Sequence, residues 1–156
     1  MDEKEYRDTY KNVNPLRCVY EKSINSRQTC CRHSHRFCLA DREGISCQNK
    51  SGQQLCENFL QQIRTKASFT LKLTAIGGPL PHAKEMRVQT GGVLGLQALL
   101  NSGTTSKSEK PDINVLLELA LSQYKKIESF PYDELMRSVQ NYQGRTRGKK
   151  PQRQDS

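Results

Sequence analysis

Apolar side chains recur at helical spacing in three stretches of the chain, and these predict its most regular helices. Over residues 113–127 they form one stripe, three or four positions apart, directly after Asp112, a good N-cap residue. Residues 51–66 carry a second stripe with the same spacing. Pro131 suits the start of a third, shorter amphipathic helix. These stretches predict a long helix in the first half and a helical pair near the C-terminus.

Weaker patterns predict the remaining elements. Asn14 followed by Pro15 resembles a helix start, and strict apolar–polar alternation over residues 69–73 is typical of a strand. The full set of weaker predictions comprises helices over 14–26, 36–42 and 93–100, and a strand over 85–89 that pairs with 69–73. We therefore expect a mainly α fold: a small helical domain with a minor β-hairpin and a C-terminal helical pair.

Changes in composition divide the chain into five segments. Residues 101–111 are rich in Ser, Thr, Gly and Lys, which is typical of a linker, and residues 144–156 contain no large apolar side chain. The expected segments are a flexible N-terminus (1–13), a cysteine-rich domain with the hairpin (14–100), the linker (101–111), a helical pair that packs on the domain or docks a partner (112–143), and a disordered basic tail (144–156).

The net charge of +9 comes from two parts of the chain. Residues 14–66 carry nine basic and four acidic side chains, and residues 137–156 carry six and one. Such basic segments are compatible with nucleic-acid contacts, although no aromatic side chain lies among the basic residues of the tail to stack on bases. No apolar run approaches the ~18 residues of a membrane span, and the charged N-terminus lacks a signal-peptide pattern. We expect a cytoplasmic protein with no membrane association.

All six cysteines lie between Cys18 and Cys56. In a reducing cytoplasm, clustered cysteines are more often metal ligands or redox groups than structural disulfides. Several arginines lie close to them in sequence, and a nearby cation favours the thiolate that binds metals. We predict the ligand set Cys18, Cys31, Cys47 and Cys56.

The cysteine spacing bears on the kind of metal centre. Structural zinc sites commonly use a Cys-x2–4-Cys pair, which this chain lacks, whereas an iron–sulfur cluster is larger than one ion and tolerates wide, irregular spacing. An iron–sulfur cluster is therefore the predicted cofactor and zinc the alternative. Other sets stay open: Cys38 could replace Cys18, and the alternate ligands are Cys30, His33 and His35. The six cysteines could also be reduced thiols without any ligand.

These observations predict a small cytoplasmic metal-binding protein that serves electron transfer, redox sensing or a larger enzyme. No catalytic motif stands out, so we do not expect the chain to be an enzyme by itself. Its predicted partner is a protein that binds the C-terminal helices. The alternative is a nucleic-acid-binding or regulatory protein with a structural zinc site, which would contact nucleic acid through the basic segments.

Overall fold

The longest element of the fold is helix α3, Lys50–Thr70, which contacts both the hairpin and the C-terminal helices. The computed structural model describes residues 2–71, 80–100 and 110–143. Asn49 caps α3, because its side-chain oxygen accepts the backbone N–H of Gly52 at 2.7 Å. The apolar stripe that predicted this helix is buried at Phe59 and Ile63. The prediction for 51–66 is confirmed, with a helix four residues longer at its C-terminal end.

The other elements follow in chain order. They are α1 Glu3–Val13, α2 Glu21–Asn25, β1 Ser34–Leu39, β2 Arg42–Cys47, then α3, α4 His82–Met86, a π-helical turn Arg87–Gly91, α5 Gly92–Leu100, α6 Ile113–Tyr124, a 3-10 turn Ile127–Ser129 and α7 Tyr132–Asn141. Helix α5 packs against both α6 and α7, and α6 and α7 pack against α3, so the buried apolar side chains form one cluster. None of the helices in the described residues is long and apolar enough to cross a membrane.

The C-terminal helical pair predicted from the sequence pattern is confirmed. Asp112 caps α6, since its Oδ1 accepts the backbone N–H of Val115 at 3.1 Å. Helix α7 starts directly after Pro131 and buries Leu135 and Val139. The fold is therefore mainly α with a two-stranded antiparallel hairpin and a C-terminal helical pair, as predicted.

The hairpin lies elsewhere than the sequence predicted. Strands β1 and β2 pair in antiparallel fashion, with Ser34 opposite Cys47, in a region where a helix over 36–42 was expected. Ala40 and Asp41 form the two-residue turn with φ angles of 49° and 68°. Two successive positive φ values match the right-handed twist of a tight hairpin. The predicted helix over 36–42 is wrong because this turn redirects the chain.

The strands predicted at 69–73 and 85–89 are wrong where they are described. Thr70 ends α3, whose preceding turn buries Ala67 and Ser68, and residues 72–73 lie outside the described part. Residues 85–89 are helical, with a hydrogen bond of 2.6 Å between the side chains of Gln89 and Glu85, one turn apart. Residues 69 and 70 belong to the last turn of α3 and not to a strand. The hydrogen bond between the side chains of Gln89 and Glu85 stabilises the helical conformation of residues 85–89.

The helix predicted over 14–26 is also wrong for most of its length. Asn14 is the C-cap of α1, not the N-cap of a new helix, and only Glu21–Asn25 is helical. Arg17 instead forms an antiparallel bridge with Ser46 of β2. Helix α1 occupies most of the segment that was expected to be a flexible N-terminus. Most of the 101–111 linker and the 144–156 tail lie outside the described residues.

Candidate metal centre

Four cysteines from four separate parts of the chain line one small pocket. They are Cys18 before α2, Cys31 before β1, Cys47 at the end of β2 and Cys56 in the second turn of α3. All six cysteines of the chain lie in the described part, and each is a free thiol. The four that line the pocket are the four predicted as first-choice ligands; that they bind a metal stays a prediction.

Backbone pairing beside β2 brings Cys18 next to Cys47. The N–H of Cys18 donates to the carbonyl of Ile45 at 3.0 Å, and the N–H of Cys47 donates to the carbonyl of Leu16 at 2.8 Å. The stretch from Leu16 to Cys18 thus continues the hairpin by a short extra pairing. Cys18 therefore enters the pocket from an extended segment, although the sequence analysis predicted a helix over residues 14–26.

The loop before β1 and the start of α3 supply the other two thiols. Cys31 is held by a tight turn in which the N–H of Ser34 donates to the carbonyl of Cys31 at 3.0 Å. The N–H of His33 points at the Cys31 sulfur, 3.4 Å away. Cys56 is only 9% exposed, on the side of α3 that faces the core. The Asn49 cap fixes where α3 begins and thereby the direction in which Cys56 projects.

Burial makes the thiols of Cys18 and Cys56 weaker acids than a free cysteine. It raises the pKa of Cys18 to about 12, partly offset by the backbone N–H of Tyr20 and reinforced by Cys31 and Cys47. Burial also raises the pKa of Cys56, and the neighbouring thiols of Cys31, Cys18 and Cys47 add to that rise. The mutual effect indicates that the four sulfurs are close enough to interact electrostatically.

Cys31 differs from its neighbours in the number of donors around its sulfur. Burial raises its pKa, while two backbone N–H groups, those of His33 and Asn114, act in the opposite direction. Such N–H donors stabilise a thiolate. Cys31 is therefore the thiol of the four whose anionic form has the most backbone support.

The alternate ligands lie in different positions. The Cys30 thiol points at the carbonyls of Lys110 and Pro111, with sulfur–oxygen distances of 3.9 and 3.6 Å. Cys38 is exposed on β1, opposite Glu43 near the turn. His33 lines the pocket with the four cysteines, whereas His35 is an exposed residue of β1 outside its lining.

The pocket is small and apolar. Its volume is about 10 Å³, roughly the room that one water molecule needs. In residues 2–71, 80–100 and 110–143, no group of three or more His, Cys, Asp or Glu side chains is arranged so that it could hold a metal ion. The Cys47 thiol, for example, donates to the carbonyl of Asn49, with 3.2 Å between sulfur and oxygen. The four thiols thus share a pocket in which the sulfurs of Cys47 and Cys31 already form hydrogen bonds with the backbone.

The sequence analysis singled out neither Asn114 nor Gly52, and both line the pocket. Asn114, in the first turn of α6, is 1% exposed and lines the pocket beside Gly52 of α3. An asparagine at the second position of a helix usually faces solvent, and the α6 stripe gave no reason to bury it. The one available signal was its place between two apolar stripe positions, Ile113 and Leu116. Contacts across 60 or more residues cannot be derived from helical periodicity alone.

Comparisons of the chain with protein-family models, with curated proteins and with solved structures each give no match.

Proposed function

We propose that this chain is a small metal-binding protein that holds an iron–sulfur cluster through Cys18, Cys31, Cys47 and Cys56. The observation that carries the proposal is the meeting of these four thiols, from four separate segments, around one pocket. Four cysteine thiolates are the common ligand set of [2Fe–2S] and [4Fe–4S] clusters. The chain itself is not the catalyst; it transfers electrons, senses redox conditions or serves a larger enzyme in the cytoplasm.

The surroundings of the pocket favour an anionic centre. The N–H of His33 lies 3.4 Å from the Cys31 sulfur. The backbone N–H groups of Asn114 and Tyr20 act against burial on the pKa of Cys31 and of Cys18. N–H donors to sulfur and the surrounding charge are recognised means by which proteins stabilise and tune clusters. The net excess of basic side chains over residues 14–66 acts in the same direction. To bind a metal, Cys47 would give up its hydrogen bond to Asn49 and release the thiol proton to solvent.

A single zinc ion is the second candidate, and the volume of the pocket favours it. A space of about 10 Å³ suits one ion. A cluster is larger, so its binding would require the surrounding segments to move apart. Four thiolates in tetrahedral arrangement form a common structural zinc site. In that case the protein is a nucleic-acid-binding or regulatory protein, and its basic segments bind phosphates most strongly at low salt, about 50 mM.

The proposed partner is a protein that contacts the outward faces of α6 and α7. Leu119 of α6 is 49% exposed, whereas Leu116 and Leu117 of the same helix are buried. The neighbouring Glu118 of α6 and Asp133 and Glu134 of α7 are exposed as well. Since Arg137 of α7 is exposed too, these helices carry exposed charges of both signs, which suits a partner with a polar rim around an apolar contact.

The proposal is tested by anaerobic purification of the full chain, followed by measurement of iron, zinc and acid-labile sulfide and an absorption spectrum. We expect one centre per chain, and we expect its loss in each of the variants Cys18→Ser, Cys31→Ser, Cys47→Ser and Cys56→Ser. Cys38→Ser is the matched control, since Cys38 is exposed on β1, and it should keep full metal content.

Two results would contradict the proposal. One is a wild-type protein that contains neither iron, zinc nor sulfide. The other is a Cys38→Ser variant that loses metal as completely as the four pocket variants. Zinc without sulfide would favour the second candidate and its nucleic-acid role.

A further inference from the structure

The first turn of α6 closes one side of the cysteine pocket. The N–H of Cys30 donates to the carbonyl of Pro111 at 3.0 Å, and the N–H of Ile113 donates to the carbonyl of Cys30 at 2.9 Å. Cys30 and Asp112 thus form a parallel bridge between two segments about 80 residues apart. The backbone next to Cys31 is therefore fixed to the start of the C-terminal helical pair.

Asn114 is the residue of α6 that reaches into the pocket. Its side-chain oxygen accepts a hydrogen bond from Arg32 Nε at 2.8 Å, and Asn114 lines the pocket together with Cys31. Its amide nitrogen lies so close to Gly52 that an added Cβ there would be 3.4 Å from it. Asn114 therefore contacts the cysteine loop on one side and the start of α3 on the other.

We propose that Asn114 is a positioning residue of the cysteine site and that it couples occupancy of the site to the packing of α6 on the cysteine segment. This inference rests on the proposed metal-binding function. A metal bound by Cys31, Cys47 and Cys56 joins the β1 loop to the start of α3. Asn114 lies between the loop before β1 and the start of α3. A metal that joins these two segments would therefore also restrain the start of α6.

The physical basis is a set of hydrogen bonds around a metal ligand. Groups that orient a ligand typically change metal affinity by about 10–100-fold when they are removed. A ligand that binds only the folded arrangement stabilises every contact on which that arrangement depends. Loading the site should therefore slow local opening at the start of α6, where partner binding by the C-terminal helices is proposed. Metal binding would then stabilise the partner surface, and partner binding would strengthen metal binding.

The test uses the full chain, metal-free and loaded with iron and sulfide or with zinc. Hydrogen exchange is measured for the amides of residues 113–117, and the release of metal to a chelator is followed by absorption. In the wild type we expect loading to slow exchange at these amides. In Asn114→Ala we expect this slowing to be lost and metal release to be faster by about tenfold.

Two further variants make the result specific. Arg32 is exposed, and Arg32→Ala removes only the hydrogen-bond donor to the Asn114 side chain. This variant should lose less of the metal-dependent slowing, and release metal less rapidly, than Asn114→Ala. Asn141→Ala, at an exposed position of α7, is the matched control and should behave as the wild type. A purely structural role for Asn114 would speed exchange in both states and leave the metal-dependent difference intact.

The possible failures can be told apart. If the wild type binds metal but exchange at 113–117 does not change and Asn114→Ala releases metal at the wild-type rate, the coupling is overturned while the metal site stands. If the wild type binds no metal at all, the proposed function is overturned and this coupling with it.

Discussion

At the scale of single residues, the central feature is a set of thiols that are buried and mutually close. A buried thiol keeps its proton at neutral pH, because burial disfavours the charged form. The raised pKa of Cys18, about 12, shows this effect after the opposing N–H of Tyr20 is included. A metal reverses the preference, since it binds the thiolate and releases the proton. The chemistry of the site should therefore change sharply between the metal-free and the loaded protein.

This property predicts a pH dependence for the metal-free protein. Thiols of the unfolded chain ionise near pH 9, whereas Cys18 and Cys56 stay protonated in the folded protein. Above about pH 9 the unfolded state binds fewer protons, so the free energy of unfolding should fall, by up to about 1.4 kcal/mol per pH unit for each thiol. Urea unfolding at about pH 8, 9 and 10 measures this fall in the free energy of unfolding.

The control is the double variant Cys18→Ala/Cys56→Ala. It retains the lysines and tyrosines that also titrate in this range, so only the contribution of the two thiols is removed. Its free energy of unfolding should fall less steeply with pH than that of the wild type. If the free energy of unfolding falls equally steeply with pH in both proteins, the assignment of this pH dependence to Cys18 and Cys56 is contradicted.

At the scale of elements, a buried ion pair joins α3 to α4. Arg64 of α3 and Glu85 of α4 approach to 2.6 Å, and Glu85 is only 1% exposed. Although burial favours the protonated carboxyl, hydrogen bonds from Arg64, Gln89 and the N–H of Leu80 hold the pKa of Glu85 below its usual value. The stabilisation by this pair is therefore present above about pH 4.5 and is lost as the pH falls through the lower folded value.

Removing the charge of Glu85 should destabilise the fold. Glu85→Gln leaves Arg64 buried beside a neutral amide, and breaking such a pair typically costs about 3–5 kcal/mol. Urea unfolding at neutral pH measures the loss. Glu57→Gln, at an exposed position of α3, is the matched control and should change the free energy of unfolding by less than about 0.5 kcal/mol. Similar small changes in both variants would show that the ion pair does not join the helices as inferred.

The elements also show what the sequence could predict. Helices α6 and α7 were predictable because Asp112 and Pro131 are local start signals and each apolar stripe faces one core. The hairpin was missed because its turn uses Ala40 and Asp41, without the glycine that normally marks two positive φ values. Its strands carry His, Arg and Cys rather than an alternating apolar pattern, so their pairing depends on tertiary contacts.

At the scale of the whole molecule, the cysteine site lies where the N-terminal and C-terminal parts meet. The hairpin, the start of α3 and the start of α6 all border it, and α3 continues from it into the apolar core. The choice of Cys18, Cys31, Cys47 and Cys56 followed from sequence reasoning, and the same four line the pocket. An extended segment brings Cys18 there, and not the helix predicted over residues 14–26. Asn114 could not be predicted, because it reaches the pocket from another part of the chain.

The central claim is that four cysteine sulfurs bind one metal centre, and X-ray absorption at the metal edge tests it most directly. The sample is the full chain, purified anaerobically without added metal. We predict a stoichiometric metal whose first shell contains about four sulfurs, at about 2.3 Å if the metal is zinc, with an additional iron–iron shell if it is a cluster. A first shell of nitrogen and oxygen, or no stoichiometric metal at all, would contradict the claim.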